Sequence, residues 1–167
     1  NSEAIRWFHH SDNESVWRAY RAASKKALEG GCTTVHTTVG GGNKLLHYHF
    51  IKERLDRLDC EYILYPQITD AAAAAATGSP RMGGCLLVDG SFGSRTAALQ
   101  EPYSGEESYR GELYHDDAYW EQIVREAHRR DMQFAVHAIG DAAISQILRV
   151  YKKIGAESPK NLRHLII

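Results

Sequence analysis

The sequence predicts an α/β fold built on a parallel sheet of about five strands. Helix-type and strand-type hydrophobic patterns alternate along the 167 residues, in the order helix, strand, helix, strand, helix, strand, loop, helix, strand, helix, strand. Strands that alternate with helices pair in parallel, because each helix carries the chain back across the sheet. The alternation therefore predicts a single α/β domain.

Each of the first two strands is preceded in the chain by a segment with a helical pattern. Residues Ser11-Asp12-Asn13-Glu14 have the spacing of a capping box, and the helix that they begin is expected to end at Gly30-Gly31. A stretch rich in β-branched residues, 32–39, predicts the first strand. A glycine loop and an apolar helical stripe follow, and residues 62–65 predict the second strand, which Pro66 ends.

The second half contains a short alanine helix, two longer helices and three strands. Six alanines at 71–76 predict a helix that Asp70 caps. A polar, glycine-rich loop at about 92–115 precedes an amphipathic helix, and Asp141 is expected to cap the last helix. The later strands are expected at residues 84–88, 133–138 and 162–167.

Two architectures fit this order. One is a complete doubly wound five-stranded sheet, and the other is part of a (β/α)₈ barrel, which needs about 250 residues. The chain stops inside an apolar strand at 165–167 with no helix to close it, whereas a complete doubly wound domain covers both faces of its sheet. This detail favours a partial barrel of about five parallel strands.

Composition excludes several classes of function. The 20 Lys and Arg balance 21 Asp and Glu, which argues against a nucleic-acid footprint or an anionic membrane surface. No apolar run approaches the roughly 18 residues that a membrane helix needs. Three cysteines, an odd number, are typical of a reduced protein of the cytoplasm. We therefore expect a cytoplasmic protein that binds neither nucleic acid nor membrane.

Polar residues at the carboxyl ends of the strands are the first site candidates, because parallel α/β folds place their function there. His36 shares a strand face with two threonines and is expected in a barrel interior or cleft, with a buried, hydrogen-bonded histidine as the alternative. Asp89 ends the third strand, where it could act in the site or bond the amide groups of the turn. Ser91 and Arg95 follow in a loop that could hold an anion.

The sharpest local signal is His137-Ala138-Ile139-Gly140-Asp141, which joins the fourth strand to a helix. A neutral imidazole at a strand end is well placed for a metal or for proton transfer, so His137 is a candidate for both. His164 could reach the interior or bond a neighbour in the core. His47 and His49 lie in a predicted helix, where their rings diverge by about 200°, so we do not expect them to chelate a metal together.

These segments resemble the metal-dependent amidohydrolase superfamily. Residues 83–99, which read GGCLLVDGSFGSRTAAL, and residues 136–141, which read VHAIGD, are most similar to its type-3 branch, which includes the N-substituted formamide deformylases. Residues 31–36 resemble a Gly-x-Thr-x-x-His strand of the same branch. The resemblance extends from about residue 27 to the end of the chain.

The resemblance implies a (β/α)₈ barrel with a divalent metal, usually zinc, at its mouth. The metal would activate water for attack on a carbon–nitrogen bond of a small amide-type substrate. The family's histidine ligand on the fifth barrel strand maps to His137. Cys85 stands where many relatives carry a metal-bridging lysine. It is a second candidate ligand because a thiolate can bind zinc, with a buried structural thiol as the alternative. The residues that we expect to contact the substrate are His36, Asp89, Ser91 and Arg95.

The resemblance also implies that residues 1–167 are one domain, the central portion of such a barrel without its N-terminal and C-terminal portions. Since a catalytic zinc takes three protein ligands, the isolated chain is expected to bind metal poorly and to show no hydrolysis. The open edges of the first and last strands should be covered, for example by a second copy of the chain.

Two other hypotheses stay open at this point. One is a self-contained flavodoxin-like module that binds a small anion or nucleotide with the loops at 40–42 and 90–95. The other is a metal-free amidohydrolase relative, because Cys85 and Ile166 stand where many relatives carry lysine and glutamate.

Overall fold

The computed structural model describes residues 12–40 and 45–167. The helices are α1 (Asn13–Glu29), α2 (Tyr48–Lys52), α3 (Ala71–Ala76), α4 (Asp117–Arg129) and α5 (Asp141–Glu157). The strands are β1 (Thr34–Val39), β2 (Glu61–Pro66), β3 (Arg81–Leu87), β4 (Gln133–His137) and β5 (Leu165–Ile166). Their order along the chain is the predicted one. The predictions that involve Ser11, Gly41 and Gly42 lie outside the described residues.

The strand pairs are parallel and follow the chain order. β1 pairs with β2, and β3, β4 and β5 pair in sequence. β3 lies beside β2, where the side-chain amide of Gln67 donates to the Cys85 carbonyl at 3.1 Å. A sequential order with right-handed crossovers places the helices on one face, as in a barrel, whereas the order of a doubly wound sheet reverses. The prediction of a partial barrel is confirmed, and the flavodoxin-like arrangement is not what the strands adopt.

The core lies between the strands and the helices, in two clusters. In the larger cluster, Met82 and Phe134 of the sheet pack against Trp120 of α4 and Ile147 of α5, all fully or almost fully buried. Burying each such side chain contributes roughly 1.5–3 kcal/mol. The smaller cluster joins α1, β1, α2 and β2 through Val16, Trp17, Val39, Ile51 and Leu64. This packing leaves the opposite face of the strands open.

Helix α1 begins after Asp12, whose carboxylate accepts the backbone N–H of Ser15 at 2.7 Å. The prediction that Asp141 caps α5 is wrong. Gly140 is the N-cap residue, and the Asp141 carboxylate instead accepts the N–H of Gln100 at 2.9 Å. The Asp141 side chain therefore binds the loop before α4 and does not cap α5.

All five strands differ somewhat in length from the prediction, and β3 and β5 have the largest boundary differences. β3 begins at Arg81, three residues early, and its pairing with β4 shifts register between Gly83 and Leu87. β5 has two residues where six were expected. None of the helices in the described ranges is both long enough and apolar enough to cross a membrane.

Candidate active site

A cavity of about 480 Å³ lies on the face of the strands opposite the core clusters. All five strands contribute to its wall, which consists of His36, Thr37, Thr38, Tyr65, Cys85, His137, Leu165, Ile166 and Ile167. The structure thus brings together three of the six predicted site residues, namely His36, Cys85 and His137. A larger outer groove of about 630 Å³ lies between α3 and α4. Its charged side chains include Glu121 and Arg125, which already form ion pairs with Lys153 and Glu157 of α5.

Cys85 faces the cavity because two glycines precede it. Gly83 and Gly84 have φ values of 90° and 101°, a region that favours glycine. A Cβ on Gly84 would lie 2.1 Å from the Thr38 methyl carbon, so only glycine lets β3 approach β1 this closely. After the register shift, Cys85 is exposed and lines the cavity, whereas Leu86 packs against the core.

His137 is the last residue of β4, and its backbone is held on both sides. Its carbonyl accepts the N–H of Val88 at 2.9 Å, and the next N–H, that of Ala138, donates to Ile167 at 3.1 Å. Within residues 12–40 and 45–167 the imidazole itself has no hydrogen-bond partner. Both ring nitrogens are therefore available to a ligand in the cavity.

Asp89 is completely buried and does not line the cavity. Its carboxylate accepts three backbone N–H groups, from Ala98 at 2.8 Å, Ile139 at 2.9 Å and Gly140 at 2.7 Å. Three donors compensate the desolvation of a carboxyl group that has no cation beside it among residues 12–40 and 45–167. These contacts match the second of the two roles predicted for Asp89, in which it binds backbone amide groups.

Ser91 and Arg95 lie on the exposed loop after β3, away from the cavity wall. The Ser91 hydroxyl lies 2.9 Å from the Ser94 hydroxyl. Arg95 forms an ion pair with Glu106 at 3.2 Å and donates to the Ser104 carbonyl at 2.9 Å. These bonds hold the loop together and use the guanidinium that an anion would need. Contact of Ser91 and Arg95 with substrate stays a prediction.

His164 is bonded in the core, which was one of its two expected positions. Its Nδ1 accepts the N–H of Phe134 at 3.0 Å, and its Nε2 lies 3.1 Å from Nδ1 of His128. Burial and the neighbouring His128 lower the pKa of His164 to about 4. No sequence pattern marks His128, which lies on α4.

His47 and His49 do not form a pair. The His47 Nδ1 lies 2.6 Å from Oδ1 of Asn13, whereas the His49 ring is edge-on to Tyr48. The two rings therefore have different partners, and His47 is the N-cap residue of α2, so the two histidines do not share the predicted helix.

Two residues outside the predicted set, Tyr65 and Gln133, hold His36. The Tyr65 hydroxyl lies 3.2 Å from Nδ1 of His36 and donates to Oε1 of Gln133 at 3.0 Å. The alternation of side chains along β2 could have predicted that Tyr65 faces the cavity, because Tyr62 and Leu64 face the core. No local pattern marks Gln133.

The described residues supply two metal donors of a suitable kind. Imidazole and thiolate are ligands that zinc prefers, so His137 and Cys85 fit such a metal in their chemistry. Among residues 12–40 and 45–167, however, no group of three or more His, Cys, Asp or Glu side chains could hold a metal ion. A complete centre would need at least one ligand from elsewhere.

Comparisons with known proteins identify related sequences and structures. A family model described as "Amidohydrolase family" matches residues 61–166. Over 79 residues the chain is 42% identical to the protein named "Putative amidohydrolase YtcJ" of Bacillus subtilis (strain 168), an overlap of 47% of this chain and 14% of that protein.

Two solved structures of proteins described as uncharacterized metal-dependent hydrolases are also similar. The one from Pyrococcus horikoshii OT3 has a TM-score of 0.66 and 28% identity, and the overlap covers 81% of this chain and 29% of that chain. The one from Pyrococcus furiosus has a TM-score of 0.74 and 24% identity, and the overlap covers 99% of this chain and 40% of that chain. This second similarity supports the fold alone. The chain spans less than half the length of each of the three proteins.

Proposed function

The chain belongs to the amidohydrolase family, and on this basis we propose that it forms part of the active site of a metal-dependent hydrolase of amide-type carbon–nitrogen bonds. The observation that carries the proposal is the imidazole of His137. It stands at the carboxyl end of β4, lines the cavity together with Cys85, and has no partner in the described residues. A metal ligand or an acid–base group needs such a position.

The metal that we propose is zinc. Bound there, it would supply an activated water molecule and polarise the carbonyl of the substrate. His137 and Cys85 would hold it from β4 and β3, and further ligands would come from outside the described residues. The replacement of a family lysine by Cys85 favours a thiolate in the ligand set.

The rest of the wall suits a small amide, including an N-acyl amine or a formamide. A volume of about 480 Å³ is in the range of small-molecule sites. Leu165, Ile166 and Ile167 form an apolar side on β5, which would pack against acyl or alkyl groups and keep water from them. His36 stands across the cavity on β1.

We also propose a cytoplasmic protein in which a second copy covers the open edges of β1 and β5. The free thiols of Cys32, Cys60 and Cys85 support the reducing compartment. Unpaired strand edges favour association with another chain. Size-exclusion chromatography is expected to show a dimer or larger species, and a well-behaved monomer would count against the second copy.

Cobalt(II) titration tests the metal site in this chain, because a thiolate ligand gives a characteristic charge-transfer absorption. We expect weak binding that His137→Ala and Cys85→Ser each reduce by about tenfold or more, since even residues behind a ligand contribute 10–100-fold. Cys32→Ser is the matched control, because Cys32 is an exposed thiol outside the cavity. Equal affinities of the unmodified chain and His137→Ala would contradict the proposal.

Hydrolysis is tested on the natural gene product with N-acyl amines and formamides as substrates. Chelation should abolish the reaction and zinc should restore it. Activity that persists after complete removal of metal would refute the metal dependence. The 167-residue chain alone is expected to bind metal weakly and to remain inactive.

A further inference from the structure

A series of hydrogen bonds leads from the backbone before β5 to the cavity, and its first step fixes Gln133. The side-chain nitrogen of Gln133 donates to the Arg163 carbonyl at 2.7 Å. A carbonyl oxygen only accepts, so the nitrogen of the amide must face it. The oxygen of the same amide therefore faces the other way, toward Tyr65.

The second step fixes the proton of Tyr65. Its hydroxyl lies 3.0 Å from Oε1 of Gln133, which only accepts, so the single hydroxyl proton points there. Burial raises the pKa of Tyr65, which keeps this proton in place. The positive charge of Arg81 opposes this rise in pKa without reversing it. The lone pairs of the Tyr65 oxygen are left for donors.

The third step fixes His36. Its Nδ1 lies 3.2 Å from the Tyr65 oxygen, whose proton is already committed, so Nδ1 must carry the hydrogen. In the neutral ring the proton on one nitrogen leaves a lone pair on the other. That other nitrogen, Nε2, has no partner in residues 12–40 and 45–167, and His36 lines the cavity.

We propose that His36 presents an unprotonated Nε2 to the cavity, where it accepts a hydrogen bond from the N–H of the substrate amide. The site would therefore favour amides that carry an N–H over N,N-disubstituted amides. Tyr65 and Gln133 are positioning residues that act through His36. The substrate preference rests on the proposed function, whereas the tautomer does not.

The opposite tautomer would remove the preference. A protonated Nε2 would donate to a carbonyl oxygen, which N,N-disubstituted amides also possess. One hydrogen bond changes a binding or rate constant by a factor of about 3 to 10. The ratio of kcat/KM between an N-alkyl formamide and its N,N-dialkyl analogue measures that bond.

Nitrogen-15 NMR of the histidine side chains tests the tautomer in the chain without any ligand. The His36 signals are those that disappear in His36→Gln. We expect the Nδ1–H tautomer in the unmodified chain. Gln133→Leu should convert it to Nε2–H, because the freed Tyr65 hydroxyl then donates to Nδ1. Gln67→Leu, a half-buried glutamine bonded to the Cys85 carbonyl, should leave the tautomer unchanged.

An Nε2–H tautomer in the unmodified chain would overturn the proposal whatever the protein hydrolyses, and this result does not depend on whether Gln133→Leu folds. In the natural gene product, Gln133→Leu should lower the preference for the N-alkyl substrate by about 3- to 10-fold. A converted tautomer with an unchanged preference would overturn the contact with substrate. Failure of the unmodified protein to hydrolyse any amide would overturn the proposed function and the preference, while the tautomer would be decided separately.

Discussion

The buried pair of His128 and His164 makes the stability of the chain depend on pH. Because His164 Nδ1 accepts the N–H of Phe134, its Nε2 carries the proton and donates to His128 Nδ1 at 3.1 Å. His128 Nε2 then donates to the Ser158 carbonyl at 2.6 Å. Both rings are neutral in this arrangement. Protonation of His164 would set a second N–H against that of Phe134.

The size of the effect follows from the pKa of His164. Burial and the neighbouring His128 lower it from 6.5 to about 4. As the pH falls, the unfolded chain therefore binds the proton first, so the stabilising contribution is complete above about pH 6.5 and is lost progressively down to about pH 4. The full shift corresponds to about 3 kcal/mol. Because solvent reaches part of the ring, we expect about 1 to 2 kcal/mol between pH 7 and pH 5.

Urea denaturation at pH 7, 6 and 5 measures this loss. His164→Asn is the variant, because the asparagine oxygen can accept the N–H of Phe134 but does not titrate. The unmodified chain should lose about 1 to 2 kcal/mol more than His164→Asn over this range. His49→Asn, the same change at an exposed histidine, should follow the unmodified chain. Parallel curves for the unmodified chain and His164→Asn would refute the reasoning.

Three further substitutions test the loops around the site by urea denaturation. Asp89→Asn places an N–H donor among backbone N–H groups and should cost about 2 to 3 kcal/mol, whereas stability close to that of the unmodified chain would contradict the three bonds. Gly140→Ala puts a Cβ 1.9 Å from the Ala98 carbonyl oxygen and should cost about 1 to 3 kcal/mol. Its control, Gly155→Ala, meets nothing within 4 Å inside α5 and should stabilise by about 0.5 to 1 kcal/mol. Shifts of the same sign in both glycine variants would contradict the steric argument.

The fold could be predicted because its signals are local. Apolar side chains at helical or alternating spacing determine which face of each element is buried, and they lie within a few residues of one another. The start of β3 was missed because Gly83 and Gly84 support a register shift that depends on the neighbouring strand. Asp141 was misassigned because its partner, Gln100, lies 41 residues away in the chain.

The sequence predicts which strand residues reach the cavity, but not which side chains hold them there. His137, Cys85 and His36 lie in the cavity because parallel strands gather their carboxyl ends and inward faces. Their environment depends on residues far away in the sequence. Tyr65 and Gln133 are 68 residues apart, and neither has a spacing that links it to His36. Such bonds arise from packing, which the chain order does not display.

Asp89 connects the two segments that carry the family resemblance. One of its oxygens bonds both Ala98 in the loop after β3 and Gly140 in the turn after His137. Gly140 can approach Ala98 only because it has no side chain, and the Ala98 carbonyl accepts the N–H of Ala142 at 3.0 Å. The position of His137 thus depends on a buried acid that neither lines the cavity nor bonds its ring. Asp89→Asn should therefore weaken cobalt binding, although both candidate ligands remain in the chain. Unchanged cobalt affinity in a folded Asp89→Asn chain would show that the position of His137 does not depend on Asp89.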